Sequence, residues 1–322
     1  MERERRTVSG PLLEIDFFPV FENGRRMFRH APKESMSSEA QKRYNQIQAQ
    51  KKLVRLVNAN FNHTDYFAHY TYRPEDAPQS EEEARADMRN HLRRVKRKRT
   101  AEYERVCREI EDTKELLRSN PDNKFLQDTL NRLSDEVKKL KEPFKYIYVI
   151  ECVRYRSGIN KDRMNWHFHL FMTGGLKDKL IESLWVNGGR MNCNNFQPDK
   201  FGPEAAAKYM AKDPQGSRRF SCSKNLDKPM VVAKDGKLTR QGVERIAKQR
   251  INDKEYWEKK YKGYRFLQCY ARFNDYNEHW YISVVMYKSD EKAPPWSATE
   301  WIGVDWNEPE ACGEYPPRSA FF

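Results

Sequence analysis

Histidines alternate with large apolar residues in the segment Trp166-His167-Phe168-His169-Leu170. In a β-strand successive side chains point to opposite faces of the sheet, so the two imidazoles share one face and the apolar side chains share the other. The apolar face can enter a core, and the histidine face then carries half of a metal site on a rigid support. Histidine pairs also occur without a metal, so the assignment depends on the neighbouring segments.

A second strand is predicted just before this one, over residues 146–153. It is rich in β-branched and aromatic residues, and Glu151 is its only carboxylate. A turn near Gly158 would pair the two segments antiparallel and bring Glu151 opposite His167 or His169. Two imidazoles and a carboxylate suit Mn²⁺ or Mg²⁺ in a catalytic role, with Zn²⁺ as an alternative. The competing interpretation is that Glu151 forms a salt bridge with Arg154 or Arg156.

A short helix is predicted downstream, from Pro203 to Lys212. Proline in the first turn, an early glutamate and three consecutive alanines favour a helix, and Asp213-Pro214 ends it. Tyr209 and Lys212 are three residues apart and therefore share one helix face. A tyrosine on an alanine-rich helix is more often a packing residue, but a nearby metal site would make it a candidate nucleophile.

Together these segments resemble the motifs of the HUH endonucleases, the replication initiators of rolling-circle plasmids and single-stranded-DNA phages. The first motif corresponds to Tyr66-Phe67-Ala68-His69-Tyr70-Thr71-Tyr72, the second to His167-Phe168-His169 and the third to Tyr209-Met210-Ala211-Lys212. A basic segment from Arg218 to Leu226 is similar to the "S-x-N-L" stretch of the same branch. The resemblance covers residues 60–229. One departure is His69, which stands where the family usually has an aliphatic residue.

The resemblance implies a reaction and its residues. Glu151, His167 and His169 would hold the divalent metal, Tyr209 would attack the scissile phosphate, and Lys212 would stabilise the developing charge. The products would be a 5′-phosphotyrosine and a free 3′-hydroxyl that initiates rolling-circle replication. Because the helix carries a single tyrosine, termination would need a second protomer, as in a homodimer, or another nucleophile.

The resemblance also implies a substrate and partners. The substrate would be single-stranded origin DNA presented on a hairpin, with a host helicase and polymerase as partners. We expect the DNA-binding residues to be Thr71, Tyr72, Arg73, Arg218, Arg219, Ser223, Lys224 and Asn225. Base choice would rest on all of these except Arg218 and Lys224. Plasmid-mobilisation relaxases and single-strand transposases share this chemistry. A non-enzymatic RRM-like nucleic-acid-binding module is the alternative from a different class.

Composition agrees with a nucleic-acid partner. The chain carries 60 Lys and Arg against 47 Asp and Glu, a net charge of +13, and the acidic tail leaves the preceding body more basic still. The six cysteines form no C-x-x-C pair, and no long apolar run resembles a signal peptide or a membrane span. We therefore expect a protein of the reducing bacterial cytosol that does not contact a membrane.

The sequence predicts an α+β fold with flanking helices, and the resemblance implies a central antiparallel sheet with helices on one face, as in the HUH nucleases and the related RRM arrangement. The domains would be an N-terminal arm and helix (1–60), an endonuclease domain (61–235), a C-terminal helix with strands (236–288), and an acidic tail rich in Pro and Trp (289–322). Leucines and valines at steps of four and three predict an antiparallel helical hairpin inserted over 101–142. This hairpin could bind DNA, a helicase or a second copy, or be a passive insertion.

Overall fold

The computed structural model describes residues 1–21, 39–154, 164–195, 220–275 and 277–289. Its strands are β1 (Glu2–Ser9), β2 (Leu12–Pro19), β3 (Tyr66–Tyr72), β4 (Tyr146–Arg154), β5 (Met164–Met172), β6 (Gly188–Asn195), β7 (Ser221–Cys222), β8 (Met230–Asp235), β9 (Tyr264–Asn274) and β10 (His279–Lys288). Its helices are α1 (Glu39–Asn60), α2 (Glu81–Ser119), α3 (Lys124–Lys141), α4 (Asp178–Ser183), α5 (Arg240–Gln249) and α6 (Lys254–Lys260), with a 3₁₀ turn at Pro74–Asp76. The fold is α+β, as predicted.

The chain divides into two compact units. We call them the central unit (34–198 and 203–228) and the terminal unit (1–33, 199–202 and 229–322). Each unit contains one five-stranded antiparallel sheet among the described residues. The candidate site lies in the central unit.

Strand β5 occupies the middle of the central sheet, whose strand order is β6-β3-β5-β4-β7. The sequence explains this position, because the apolar face of β5 is buried from Trp166 to Met172, with Phe168 and Leu170 fully inaccessible. Strands β3 and β4 pair with β5 on either side. Each strand therefore places its side chains beside those of β5.

The long helix α2 covers the apolar face of this sheet. Ser80 begins it, since its hydroxyl accepts a hydrogen bond from the Glu83 amide, and three glutamates follow in the first turn. The first half of α2 buries an apolar stripe that includes Met88, Leu92 and Val95.

The second half of α2 pairs with α3, which confirms the predicted helical hairpin. Val106 and Ile110 meet Leu133 and Leu140, and these residues belong to the same core cluster as the sheet residues. The hairpin is therefore continuous with the hydrophobic core of the central unit.

Helix α1 packs on part of the opposite face of the sheet. Leu53 and Val57 contact Ile147 on β4 and Phe171 on β5 in a second core cluster. The family resemblance implied helices on one face, whereas the structure places helices on both. The rest of this second face carries the polar side chains of the candidate site.

The terminal unit is built on a sheet with the order β8-β1-β2-β10-β9. Alternate residues of β2 and β10, such as Ile15, Phe17 and Val284, pack against helices α5 and α6. The first residues of the predicted N-terminal arm form a strand hairpin, β1 and β2.

Two further elements differ in place from the predicted domains. Helix α1, assigned by sequence to the N-terminal arm, belongs to the central unit, and β8, assigned to the endonuclease domain, belongs to the terminal unit. Both elements join their unit through residues distant in the sequence: β8 pairs with β1, and α1 packs on β4 and β5. The tail from residue 290 onward lies outside the described residues.

Two general properties follow from the described ranges. Among these residues, no helix combines the length and the apolar character that crossing a bilayer requires. The cysteines within them are free thiols: Cys107, Cys152, Cys193, Cys222 and Cys269.

Candidate metal centre

Three predicted ligands converge on the open part of the second sheet face. Glu151 on β4 is directly opposite His167 on β5, the predicted antiparallel pairing. The Nε2 atom of His167 lies 2.7 Å from Oε2 of Glu151, and Nε2 of His169 lies 3.1 Å from the same oxygen. The side chains of Arg154 and Arg156, the alternative partners of Glu151, lie outside the described residues.

The register explains why these side chains meet. Residues on the second face form rows across β3, β5 and β4, and the first row is Thr71, His167 and Glu151. The second row is His69, His169 and Val149, and the third, apolar row is Phe67, Phe171 and Ile147. Directly opposed side chains in such a sheet have Cβ atoms about 5 Å apart. The face therefore changes from polar to apolar along the strands.

Electrostatics favours the protonation states that metal ligands need. Burial acts to raise the pKa of the Glu151 carboxyl, but hydrogen bonds from His167 and His169 outweigh it and hold that pKa well below its usual range. Burial also lowers the pKa of His169, although the hydrogen bond with Glu151 opposes this effect. An ionised carboxylate and a neutral imidazole are the forms that bind metal ions.

The donor set fits a divalent cation. One donor atom from each of Glu151, His167 and His169 lies within 4.8 Å of the others. Solvent reaches the cluster, because the side chains of Glu151 and His167 are 28% and 15% exposed, whereas that of His169 is 1% exposed. These three residues could hold a metal ion that remains accessible from one side.

His69 adjoins this cluster through His169, which sequence reasoning did not establish; the donor atoms that all lie within 4.8 Å of one another are those of Glu151, His167 and His169. His69 is in register with His169 on β5, and the two Nε2 atoms lie 3.1 Å apart. Burial lowers the pKa of His69 to about 3, helped by the proximity of His169 and His167. The pattern of β3 places Phe67, His69 and Thr71 on one face, so pairing of β3 with β5 was the missing information.

The three predicted DNA-contacting residues of the first motif do not lie on one face of the sheet. Thr71 shares the face of His69 and is in register with His167. Tyr72 points to the other face, where it is buried and donates a hydrogen bond to Asp87. Arg73 follows the strand and is exposed. Of these three residues, the structure brings only Thr71 into the first row.

The predicted "S-x-N-L" stretch forms an anchored edge of the sheet. Ser223 exchanges hydrogen bonds with the backbone of Tyr146, and the Asn225 amide donates to the Phe144 carbonyl. Tyr146 precedes Glu151 on β4 by about 16 Å, at about 3.3 Å per residue. The structure therefore places Ser223 and Asn225 away from the cluster, and the neighbouring Lys224 is exposed.

The remaining predicted residues lie outside the described ranges. They are the nucleophile and its neighbour on the third motif, Tyr209 and Lys212, and the basic pair Arg218 and Arg219. Their places relative to the metal ligands come from the sequence alone.

One arginine of the basic segment 93–99 has a structural role. The guanidinium of Arg99 is buried and donates to the carbonyl oxygens of Gly174, Lys139, Leu140 and Glu142, so it caps the last turn of α3. Arg99 is therefore a buried capping residue and not an exposed cation. The exposed positions of the segment are Arg93, Lys96 and Arg97.

Comparison of the chain with models of protein families, with characterised proteins and with solved structures finds no match.

Proposed function

We propose that the protein is a metal-dependent endonuclease and strand transferase that nicks single-stranded DNA to initiate rolling-circle replication. The observation that carries this proposal is the convergence of Glu151, His167 and His169 on an accessible sheet face. The order of the three sequence motifs adds the candidate nucleophile.

The chain's own residues divide the chemistry between them. Glu151, His167 and His169 would hold a divalent ion, Mn²⁺ or Mg²⁺, and that ion would polarise the scissile phosphate. The hydroxyl oxygen of Tyr209 forms a bond to phosphorus, the bond from phosphorus to the 3′ oxygen breaks, and the phenolic proton ends on that 3′ oxygen. The phosphodiester energy is kept in the tyrosyl bond and is available for rejoining.

Tyr209 needs activation. An ordinary tyrosine has a pKa near 10 and is ionised only to about one part in a thousand at neutral pH. Lys212, three residues away on the predicted helix, would stabilise phenolate or phosphorane charge.

Charge supports a DNA substrate. The net charge of +13 favours a polyanion, and Arg93, Lys96 and Arg97 are exposed on α2. A non-enzymatic nucleic-acid-binding module would share these charges, but it would have no use for a carboxylate held between two imidazoles.

The test uses the full chain with Mn²⁺ and a random library of single-stranded DNA labelled at its 3′ end, which stays on the fragment joined to Tyr209. We expect labelled DNA to migrate with the protein on a denaturing gel, and the adduct to disappear in Tyr209→Phe. The matched control, Tyr264→Phe, changes a tyrosine of the terminal unit and should retain the adduct.

Two results would contradict the proposal. An adduct that persists in Tyr209→Phe would refute the nucleophile. DNA binding without any adduct, under conditions where Mn²⁺ binds, would favour the non-enzymatic module.

A further inference from the structure

His69 lies at the β3 edge of the candidate site. It lies on β3, on the opposite side of β5 from Glu151, so the imidazoles of β5 lie between two flanking strands. Its ring centroid is 3.8 Å from that of His169 and 6.1 Å from that of His167. Donor atoms from all three neighbouring strands therefore converge on one side of the sheet.

Hydrogen bonds between these side chains cannot satisfy all of the close contacts that Nε2 of His169 makes. The Nε2 atom of His169 lies 3.1 Å from Oε2 of Glu151 and also 3.1 Å from Nε2 of His69. A ring nitrogen of a neutral imidazole carries either one hydrogen or one lone pair, so it serves only one such contact well. Oε2 of Glu151 is in turn shared with His167.

A shared cation satisfies the same contacts. Two nitrogen ligands at about 2.0–2.1 Å from one ion, at angles between a right angle and the tetrahedral angle, lie about 2.8–3.4 Å apart. The 3.1 Å separation of the His69 and His169 nitrogens falls within this range. Each imidazole would then offer its Nε2 lone pair.

We propose that His69 is a fourth protein ligand of this metal site, and that the set of three imidazoles and one carboxylate selects a first-row transition ion over Mg²⁺. The inference rests on the metal site of the proposed function and extends it. Imidazole favours transition ions, whereas Mg²⁺ prefers oxygen ligands and releases its water reluctantly. A six-coordinate ion such as Mn²⁺ would keep two positions for a phosphate oxygen and water.

The ligand count can be measured without any DNA. Co²⁺ is added to the purified full-length protein, and the hyperfine-shifted exchangeable imidazole N–H signals are counted by proton NMR. We expect three such signals in the unmodified chain and two in His69→Leu. Leucine is the matched choice because the resembled family usually has an aliphatic residue at this position. The control His63→Leu makes the same change at an exposed histidine before β3 and should keep three signals.

Affinity gives a second readout. Calorimetric titration with Mn²⁺ should show a loss of about 100-fold or more in His69→Leu, since even outer partners of metal ligands cost about 10- to 100-fold. Mg²⁺ should bind the unmodified chain far more weakly than Mn²⁺, and His69→Leu should narrow that difference. Circular dichroism verifies that both variants are folded.

The outcomes separate the two proposals. Two imidazole signals in the unmodified chain, or an unchanged count and affinity in His69→Leu, would overturn the role of His69. No Co²⁺ or Mn²⁺ binding at all would overturn both this inference and the metal site of the proposed function. Three signals without a Tyr209 adduct would support His69 as a ligand and contradict the nicking reaction.

Discussion

The Nε2 atom of His167 lies 2.7 Å from Oε2 of Glu151, and the two residues are in register on neighbouring strands. Because Glu151 also contacts His169, it connects both histidines of β5. Removing its charge should therefore affect the whole donor set.

Glu151→Gln should reduce Mn²⁺ affinity by about 100-fold or more, because a neutral amide replaces an ionised ligand. Thermal unfolding with and without Mn²⁺ measures the effect. At an ion concentration of 100 times Kd, binding stabilises the unmodified chain by about 2.7 kcal/mol. The variant should lose most of this increase, and Glu75→Gln, at an exposed carboxylate, should retain it. An unchanged increase in Glu151→Gln would remove Glu151 from the ligand set.

Arg99→Ala should destabilise the central unit by about 3 kcal/mol or more. The substitution leaves several buried carbonyl oxygens without their donor, including those of Lys139 and Glu142. Chemical denaturation measures the change. Arg97→Ala, at an exposed position two residues earlier, should leave stability nearly unchanged. It should also reduce the slope of log K for single-stranded DNA against log salt concentration by about 0.7, the loss of one phosphate contact. Equal stability of the two variants would contradict the capping role of Arg99.

His91 should make the protein sensitive to acid. It is buried between the Leu184 carbonyl and the Tyr70 hydroxyl, and because a carbonyl only accepts, Nδ1 carries the hydrogen and Nε2 accepts from Tyr70. Burial lowers the pKa of His91 from its ordinary 6.5 to about 4. The neutral form is therefore favoured in the folded state, and its contribution to stability is complete above pH 6.5.

As pH falls from about 6.5 to about 4, that contribution should be lost, up to about 3 kcal/mol. Denaturation curves across this range measure the slope. His91→Gln keeps one donor and one acceptor but does not titrate, so its acid slope should be shallower. A slope identical to that of the unmodified chain would show that other groups cause the acid sensitivity.

Gly174→Ala should destabilise the central unit by several kcal/mol. An added Cβ would lie 2.1 Å from the carbonyl oxygen of Thr64, and backbone cannot move aside cheaply. The Gly174 amide also donates to Asp65, so a shift would break that buried contact. The control Gly242→Ala places its Cβ 3.4 Å from the Thr239 hydroxyl and should be tolerated. Thermal denaturation of both variants tests the difference, and equal melting temperatures would contradict this account.

Local periodicity was sufficient to predict β4, β5, their pairing and the helical hairpin. The apolar alternation of β5 and the heptad-like spacing of α3 are each contained within a short segment. Glu151 and the two histidines followed from these elements because a hairpin links them directly in sequence.

The terminal sheet could not be predicted in the same way. Glu2 and Glu4 on β1 are buried, and Tyr261, more than 250 residues later, donates a hydrogen bond to Glu4. A charged strand of this kind looks like a solvated segment until its partners are known. Alternation in β2, where Leu13, Ile15 and Phe17 are buried, was the available signal for a strand in this region.

His69 was missed for a related reason. Its own strand was predicted, but the pairing of that strand with β5 was not, because the helical hairpin and β4 separate β3 from β5 in the sequence. Buried polar contacts across such a distance depend on sheet order, which a single sequence does not reveal.

The alternation of β5 also shapes how this strand can change during evolution. Residues at 168 and 170 lie in the core, whereas those at 167 and 169 face the metal cluster. Mutations at the even positions would reduce the amount of folded protein, whereas mutations at the odd positions would change the proposed metal ligands on the other face. Alternate codons of this strand are therefore under different constraints: one set preserves the core, and the other can change without unfolding the protein.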